Sequence, residues 1–239
     1  MQPHTFVLIA GAWHGAWCWA KVAPLLEAQG HRVLAPELPG TGVDPTDPAL
    51  VTLDGWGRFV ADIVERQPEP VTLVGHSRGG IVISRAAELA PERLRRIVYV
   101  SAYLLPAGVS LAESARADGE SLAPPNMIPA VGGVTCNLRA EVIRAALFGQ
   151  CTDADYAYAL ARMSPEPLKP LVTPLKVTAQ RFGRVPRAYV ECLQDRTVTP
   201  AAQRQMQAAL PCDPVFTLDS DHSPFLSHPQ ELARLLGGL

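Results

Sequence analysis

The chain has 239 residues, with 21 Lys and Arg against 23 Asp and Glu for a formal net charge of -2. That balance gives no electrostatic footing for nucleic acid or an anionic membrane, and no apolar run reaches the length of a membrane span. At 48% hydrophobic and 18% charged residues, the length suits one α/β domain with a large core.

Met1-Gln2-Pro3-His4 leads straight into a strand, without the pattern of a secretory leader. Five cysteines (Cys18, Cys136, Cys151, Cys192 and Cys212) are scattered, and none pairs as CxxC. With six histidines in the chain, no metal-ligand spacing arises either. Reduced thiols in a cytoplasmic protein, with no metal, are the expectation.

Thr5 to Ile9 reads as an apolar strand and runs into the Gly-containing loop Ala10 to Trp19, whose backbone can approach a ligand closely. Trp17 to Gln29 reads as a helix, with Trp19, Val22, Leu25 and Leu26 at helical spacing and Gly30 as its stop. Trp13, Trp17 and Trp19 are expected to pack rather than bind. Arg32 to Ala35 is a short strand, and Pro36 to Pro48 is too rich in Pro, Gly and Asp for regular structure. Leu53-Asp54 opens a second helix, with Asp54 as its expected N-cap, and Gln67 to Pro70 breaks it.

Val71 to Val74 is a buried strand, Gly75-His76-Ser77-Arg78-Gly79 fits Gly-x-Ser-x-Gly, and a helix follows to Leu89. Strand, Gly-flanked serine and helix together form the context of a nucleophile elbow. Pro91 to Arg96 is a connector and Ile97 to Val100 another buried strand. The β-α-β-α-β-α-β order requires parallel strands with helices on both faces, and ligands in such sheets sit beyond the carboxyl ends of the strands.

Ser101 to Pro186 is rich in proline and short amphipathic pieces, such as Ala140 to Phe148 and Thr152 to Met163, and lacks strong strand runs. It reads as a mostly helical lid, residues 104–186, inserted between core segments 1–103 and 187–239. Ala188 to Cys192 and Val215 to Leu218 are the last strands, with helices over Pro200 to Leu210 and Pro229 to Leu236.

A serine hydroxyl keeps its proton near neutral pH, so it needs a base within hydrogen-bond reach and an orienter for that base. Ser77, Asp195 and His222 occur in the elbow order and each follows an expected strand. His4 and His31 lie at the wrong sheet edge, His76 points away from its neighbour, and His228 begins a surface helix. His14 is the remaining competitor for the base, otherwise a loop brace or substrate contact together with Gly11. Asp219 and Asp221 compete with Asp195, but they flank His222 too closely to dock on its far nitrogen; Asp221 reads as a turn residue. The N–H groups of Ala12 and Arg78 are the expected oxyanion hole. The Arg78 side chain is expected to face away and pair with a carboxylate.

Phe6 to Ile9, His14 to Trp17, Pro24 to Val33, Gly42 to Pro45, Gly75-His76-Ser77, Tyr189 to Gln203 and Asp221-His222 together resemble the α/β-hydrolases that include plant methyl esterases and hydroxynitrile lyases. The resemblance covers nearly the whole chain and is weakest in the lid. It implies an α/β-hydrolase fold and the same triad and oxyanion amides. Ala10 stands where the esterases carry histidine, Gly11 where the lyases carry threonine, and Ser223 where the lyases carry a cyanide-stabilising lysine. The ending Asp221-His222-Ser223-Pro224-Phe225 is more similar to a bacterial esterase branch.

The expectation is a serine carboxylester hydrolase for a small or aromatic uncharged ester, with no cofactor. Its partner would be that small molecule, with no nucleic acid or membrane, and its assembly a homodimer. The alternatives are a hydroxynitrile lyase, which would release cyanide from mandelonitrile, and a non-catalytic binding module, which would retain its ligand.

Overall fold

A computed structural model describes residues 3–239; the leader reading of Met1 and Gln2 falls outside them. In chain order the core opens with β1 (Thr5–Ile9), α1 (Val22–Ala28), β2 (Arg32–Leu34), α2 (Leu53–Glu65), β3 (Val71–His76), α3 (Gly79–Leu89) and β4 (Leu94–Val100). The region between β4 and the next core strand holds α4 (Leu111–Ala117), β5 (Met127–Pro129), β6 (Thr135–Leu138), α5 (Ala140–Leu147), α6 (Asp153–Leu160), β7 (Glu166–Pro167) and α7 (Leu168–Val172). The core closes with β8 (Arg187–Cys192), α8 (Pro200–Ala209), β9 (Val215–Leu218), α9 (Pro224–Ser227) and α10 (Pro229–Gly237).

Six strands form one sheet in the order β2-β1-β3-β4-β8-β9, and every pairing is parallel. Side-chain alternation divides its core between two faces. Val7, Ile9, Leu73, Ile97, Tyr99 and Tyr189 pack with α2 and α3 residues such as Trp56, Val60 and Ile83. Phe6, Leu8, Val74, Val98, Val100 and Val190 face the other way, onto Val22 and Leu26 of α1 and Leu232 and Leu236 of α10. Each fully buried side chain of this size is worth about 1.5–3 kcal/mol, so both faces are strongly anchored and the strand ends are held as a rigid edge.

Three local expectations are corrected. The Trp17 to Gln29 helix is broken: a 3-10 turn spans Ala16–Trp19 and α1 starts at Val22. Thr52, not Asp54, caps α2, its side chain accepting the Gly55 amide at 3.0 Å, while Asp54 Oδ1 accepts Arg85 Nε at 2.7 Å. A threonine oxygen preceding the first turn meets the free amides directly, an N-cap contribution of about 1 kcal/mol. The inserted region also contains a small antiparallel sheet, β5-β6-β7, beside its helices. Its strands of three, four and two residues are too short to leave a period-2 signal.

Candidate active site

Ser77 sits where β3 turns into α3, at φ 52°, a left-handed backbone that costs a side-chain-bearing residue of order ~1–3 kcal/mol. The surroundings impose the turn. A Cβ on Gly75 would lie 2.8 Å from the Gly79 carbonyl, and one on Gly79 would lie 2.8 Å from the Ile9 carbonyl oxygen. Strand and helix therefore approach more closely than any larger residue allows. The Ser77 carbonyl accepts the Gly80 and Tyr103 amides at 3.0 and 3.1 Å, which secures the turn from both sides.

Asp195 and His222 arrive from the loops after β8 and β9. His222 Nδ1 lies 2.6 Å from Asp195 Oδ2, and as a carboxylate oxygen can only accept, Nδ1 carries the proton and Nε2 is left as the basic nitrogen. Asp195 is in turn held. Its Oδ1 accepts the Thr197 and Val198 amides at 2.6 and 3.0 Å, and its Oδ2 also accepts from Ser101 Oγ. Ser101, at the carboxyl end of β4, has φ 43°, a second strained residue spent on aiming a side chain into the site.

His76 and His14 take other work. The His76 Nε2–H donates to the His222 carbonyl at 2.7 Å, bracing that loop, and the His14 Nδ1–H donates to the Ala12 carbonyl at 2.6 Å. Burial is the main cause that lowers the His14 pKa to about 3 and pushes that of His76 well below the usual range, with neighbouring His222 adding to both shifts. Both rings are neutral at ordinary pH. Asp221 turns away from the His222 ring: its Oδ1 accepts Ser227 Oγ at 2.7 Å and its Oδ2 the Gln150 amide at 2.9 Å. Asp219 accepts Gln194 Nε2 at 2.8 Å.

The Arg78 side chain points inward to Glu166 on β7, with Nε 2.9 Å from Oε1 and both side chains 1% exposed. One Nη donates to the Gly11 carbonyl at 2.9 Å, and the guanidinium lies over the Trp56 ring at 4.5 Å. Glu166 Oε2 also accepts the Trp13 amide at 3.2 Å. Burial pushes the Glu166 pKa up, and Arg78 opposes that shift.

Ser77, Ala12, Trp13 and Arg78 line a pocket of about 30 Å³, closed by Tyr103, Leu111, Ala115, Ala123, Pro124, Met127, Leu171 and Thr197. Leu111, Ala115, Pro124, Met127 and Leu171 also line a second cavity of about 250 Å³, with Arg116 and Val172 in its wall. The two cavities therefore share an apolar wall next to Ser77. Among the described residues, neither the Ala12 nor the Arg78 amide has an acceptor within the protein.

The structure thus brings Ser77, Asp195, His222 and the amides of Ala12 and Arg78 to one edge. Gly11 and His14 do not line the pocket. Gly11 permits close approach instead: a Cβ there would lie 2.8 Å from Ser77 Cβ. The sequence reading missed Trp13 as a pocket wall, Ser101 as a partner of Asp195, and Glu166. The first two follow strand ends, a weak signal; Glu166 has none. Among the described residues no group of three or more His, Cys, Asp or Glu could hold a metal, and no helix is long and apolar enough to cross a membrane.

The model for the Alpha/beta hydrolase family matches residues 6–235. Putative methylesterase 11, chloroplastic, of Arabidopsis thaliana is 32% identical over 99% of this chain, which spans 64% of that relative's length. Methylesterase 18 of the same plant is 30% identical, covering 99% of this chain and 97% of its own. Among solved structures, a pyrethroid hydrolase from Sphingobium faniae JZ-2 superposes with a TM-score of 0.84 at 31% identity, covering 99% of this chain and 97% of that one.

Proposed function

The chain belongs to the α/β-hydrolase family, and on that premise we propose that it is an ester-hydrolysing enzyme, a serine carboxylester hydrolase. Ser77 is the nucleophile, His222 the base, Asp195 its orienter, and the amides of Ala12 and Arg78 the oxyanion hole. The observation that carries the reading is the 2.6 Å contact of His222 Nδ1 with Asp195 Oδ2, at the strand edge where the Ser77 turn has φ 52°, in a family whose named relatives are methylesterases.

In this reading His222 Nε2 takes the Ser77 proton as Oγ bonds to the ester carbonyl carbon. The carbonyl π pair moves onto oxygen, where the two amides meet it; one such donor is typically worth about 2.7–4 kcal/mol. The carbonyl re-forms and the alkoxide leaves as an alcohol, with the proton from His222. Water then attacks the acyl-enzyme by the same route and frees the acid and Ser77. No metal or organic cofactor takes part.

Read as one apolar channel leading to Ser77, the two cavities favour a small or aromatic uncharged ester. Residues 104–186 act as a lid that shapes this channel. Ser223, where the lyases of this family would place lysine, supplies no cation for departing cyanide, which favours hydrolysis over cyanohydrin cleavage. A cytoplasmic homodimer, its thiols unpaired, completes the reading.

The test is a panel from short p-nitrophenyl esters to bulky aryl and methyl esters, with mandelonitrile included and Ser77→Ala alongside. Turnover of esters lost in Ser77→Ala is expected. Full turnover in that variant, or cyanide release in place of hydrolysis, would overturn the reading.

A further inference from the structure

The inserted region bonds Trp13 at every polar group that residue has. The Trp13 amide donates to Glu166 Oε2 at 3.2 Å, its indole N–H donates to the Cys136 carbonyl at 3.1 Å, and its carbonyl accepts the Ser164 amide at 3.1 Å. Trp13 also has φ 62°, an unfavourable backbone for a bulky residue that persists only while its surroundings enforce it. Immediately before it, His14 Nδ1–H holds the Ala12 carbonyl at 2.6 Å.

Glu166 acts on this loop twice. It binds the Trp13 amide directly, and it stands 2.9 Å from Arg78 Nε while Arg78 donates to the Gly11 carbonyl at 2.9 Å. One buried ion pair is therefore tied to the residue before Ala12 and to the residue after it. Arg78 itself supplies the other oxyanion amide. No step of the hydrolysis uses either side-chain charge, and an ion pair 1% exposed on both sides gains little net stability because desolvation offsets its attraction. What the pair does accomplish is orientation.

We propose that Glu166 is a positioning residue. Through Arg78 and Trp13 it fixes the Gly11-Ala12-Trp13 backbone so that the Ala12 N–H meets the oxyanion, which makes the inserted region part of the catalytic apparatus as well as a cover. The proposal rests on the ester-hydrolase reading.

The test compares the wild type with Glu166→Gln, Glu166→Ala and the double variant Arg78→Met/Glu166→Leu. The double variant replaces the buried charges with apolar side chains and keeps the fold if the single removal does not. Four quantities are measured: kcat and KM on a p-nitrophenyl ester, the inhibition constant of an aryl trifluoromethyl ketone, and Tm. That ketone forms a Ser77 hemiketal whose oxyanion needs the hole. Glu166→Ala and the double variant are expected to lose about 10- to 100-fold in kcat, with KM within about twofold and the ketone's inhibition constant raised in parallel. Glu166→Gln, which keeps an acceptor for Trp13, recovers part of the loss.

Values of kcat and ketone affinity within twofold of wild type in a folded variant would overturn the proposal. So would a fall in kcat with ketone affinity unchanged. If the wild type has no Ser77-dependent hydrolysis, both readings fall together. If Ser77→Ala is dead and the Glu166 variants match wild type, only the positioning role is lost.

Discussion

Asp195 Oδ2 accepts from both His222 Nδ1, at 2.6 Å, and the Ser101 hydroxyl, so one carboxylate oxygen serves the ring and the strained end of β4 at once. The arrangement fixes the tautomer of His222 by leaving its Nδ1 proton only one place to go. Asp195→Asn can present an amide N–H to that nitrogen, forcing the proton onto Nε2, the atom that accepts from Ser77 in the proposed mechanism. A fall in kcat on the order of 10³–10⁴-fold at neutral pH is expected, with KM little changed. Steady-state kinetics beside Ser77→Ala check it, and activity within tenfold of wild type would remove Asp195 from the proposed triad.

The two neutral buried histidines give the acid limb of stability a defined sign. His14 is lowered to about 3 and His76 well below its usual value, so on unfolding each ring takes up a proton below pH 6.5 that the native state refuses. Their contribution is therefore fully present above about pH 6.5 and is lost as pH falls toward the folded values. Between pH 6.5 and 5 His14 should remove about 2 kcal/mol of stability, and His76 acts in the same direction. His14→Asn, which can keep a donor to the Ala12 carbonyl, should lower stability at pH 7.5 but flatten the decline to pH 5 by about that amount. Urea midpoints at the two pH values measure it, and an unchanged decline would show that His14 is not buried in its neutral form.

The parallel core was legible because β1, β3, β4, β8 and β9 are apolar runs with β-branched residues, each followed by a loop carrying a functional side chain. That order alone placed Ser77, Asp195 and His222 at one edge. The lost detail is long-range or too short to be periodic. Glu166 meets Arg78 across 88 residues, and the stretch Ser164-Pro165-Glu166-Pro167 resembles an ordinary loop. The break before α1 was hidden because Trp19, Val22 and Leu26 are all buried and keep helical spacing across a turn. Asp54 was mistaken for a cap because it stands at the head of the apolar face; the Thr52 side chain takes the Gly55 amide instead, and Asp54 pairs with Arg85, 31 residues away.

The proposed channel makes a separable prediction about substrate size. Ala115 lies on α4 in the wall shared by the two cavities. Ala115→Leu adds three carbons where Leu111, Met127 and Leu171 already converge, away from the Ser77, Asp195 and His222 groups. For esters with a bulky aryl arm kcat/KM should fall by about 10-fold or more, while the shortest esters keep their wild-type value. Equal losses on short and long esters would mean that the channel does not carry the substrate.

Gly79 and Gly108 separate crowding from backbone strain. A Cβ at Gly79 would lie 2.8 Å from the Ile9 carbonyl oxygen and 3.0 Å from that of Ala10, both backbone atoms at the end of β1. Neither can swing aside as a side chain would, so Gly79→Ala should push this strand end away from α3. That end continues into Gly11 and Ala12, so the loop proposed to hold the oxyanion moves with it. Gly108 has φ 85° but nothing within 4 Å of the added Cβ, so Gly108→Ala should cost about 1–2 kcal/mol of strain and leave kcat at the wild-type level. Gly79→Ala should cost a similar about 1–3 kcal/mol from overpacking and lose most of its kcat as well. Thermal midpoints and kcat on one ester, measured for both variants, test the pair. A Gly79→Ala protein as active as Gly108→Ala would mean that α3 and the first loop are not packed as tightly as the spacing of Ile9, Ala10 and Gly79 requires.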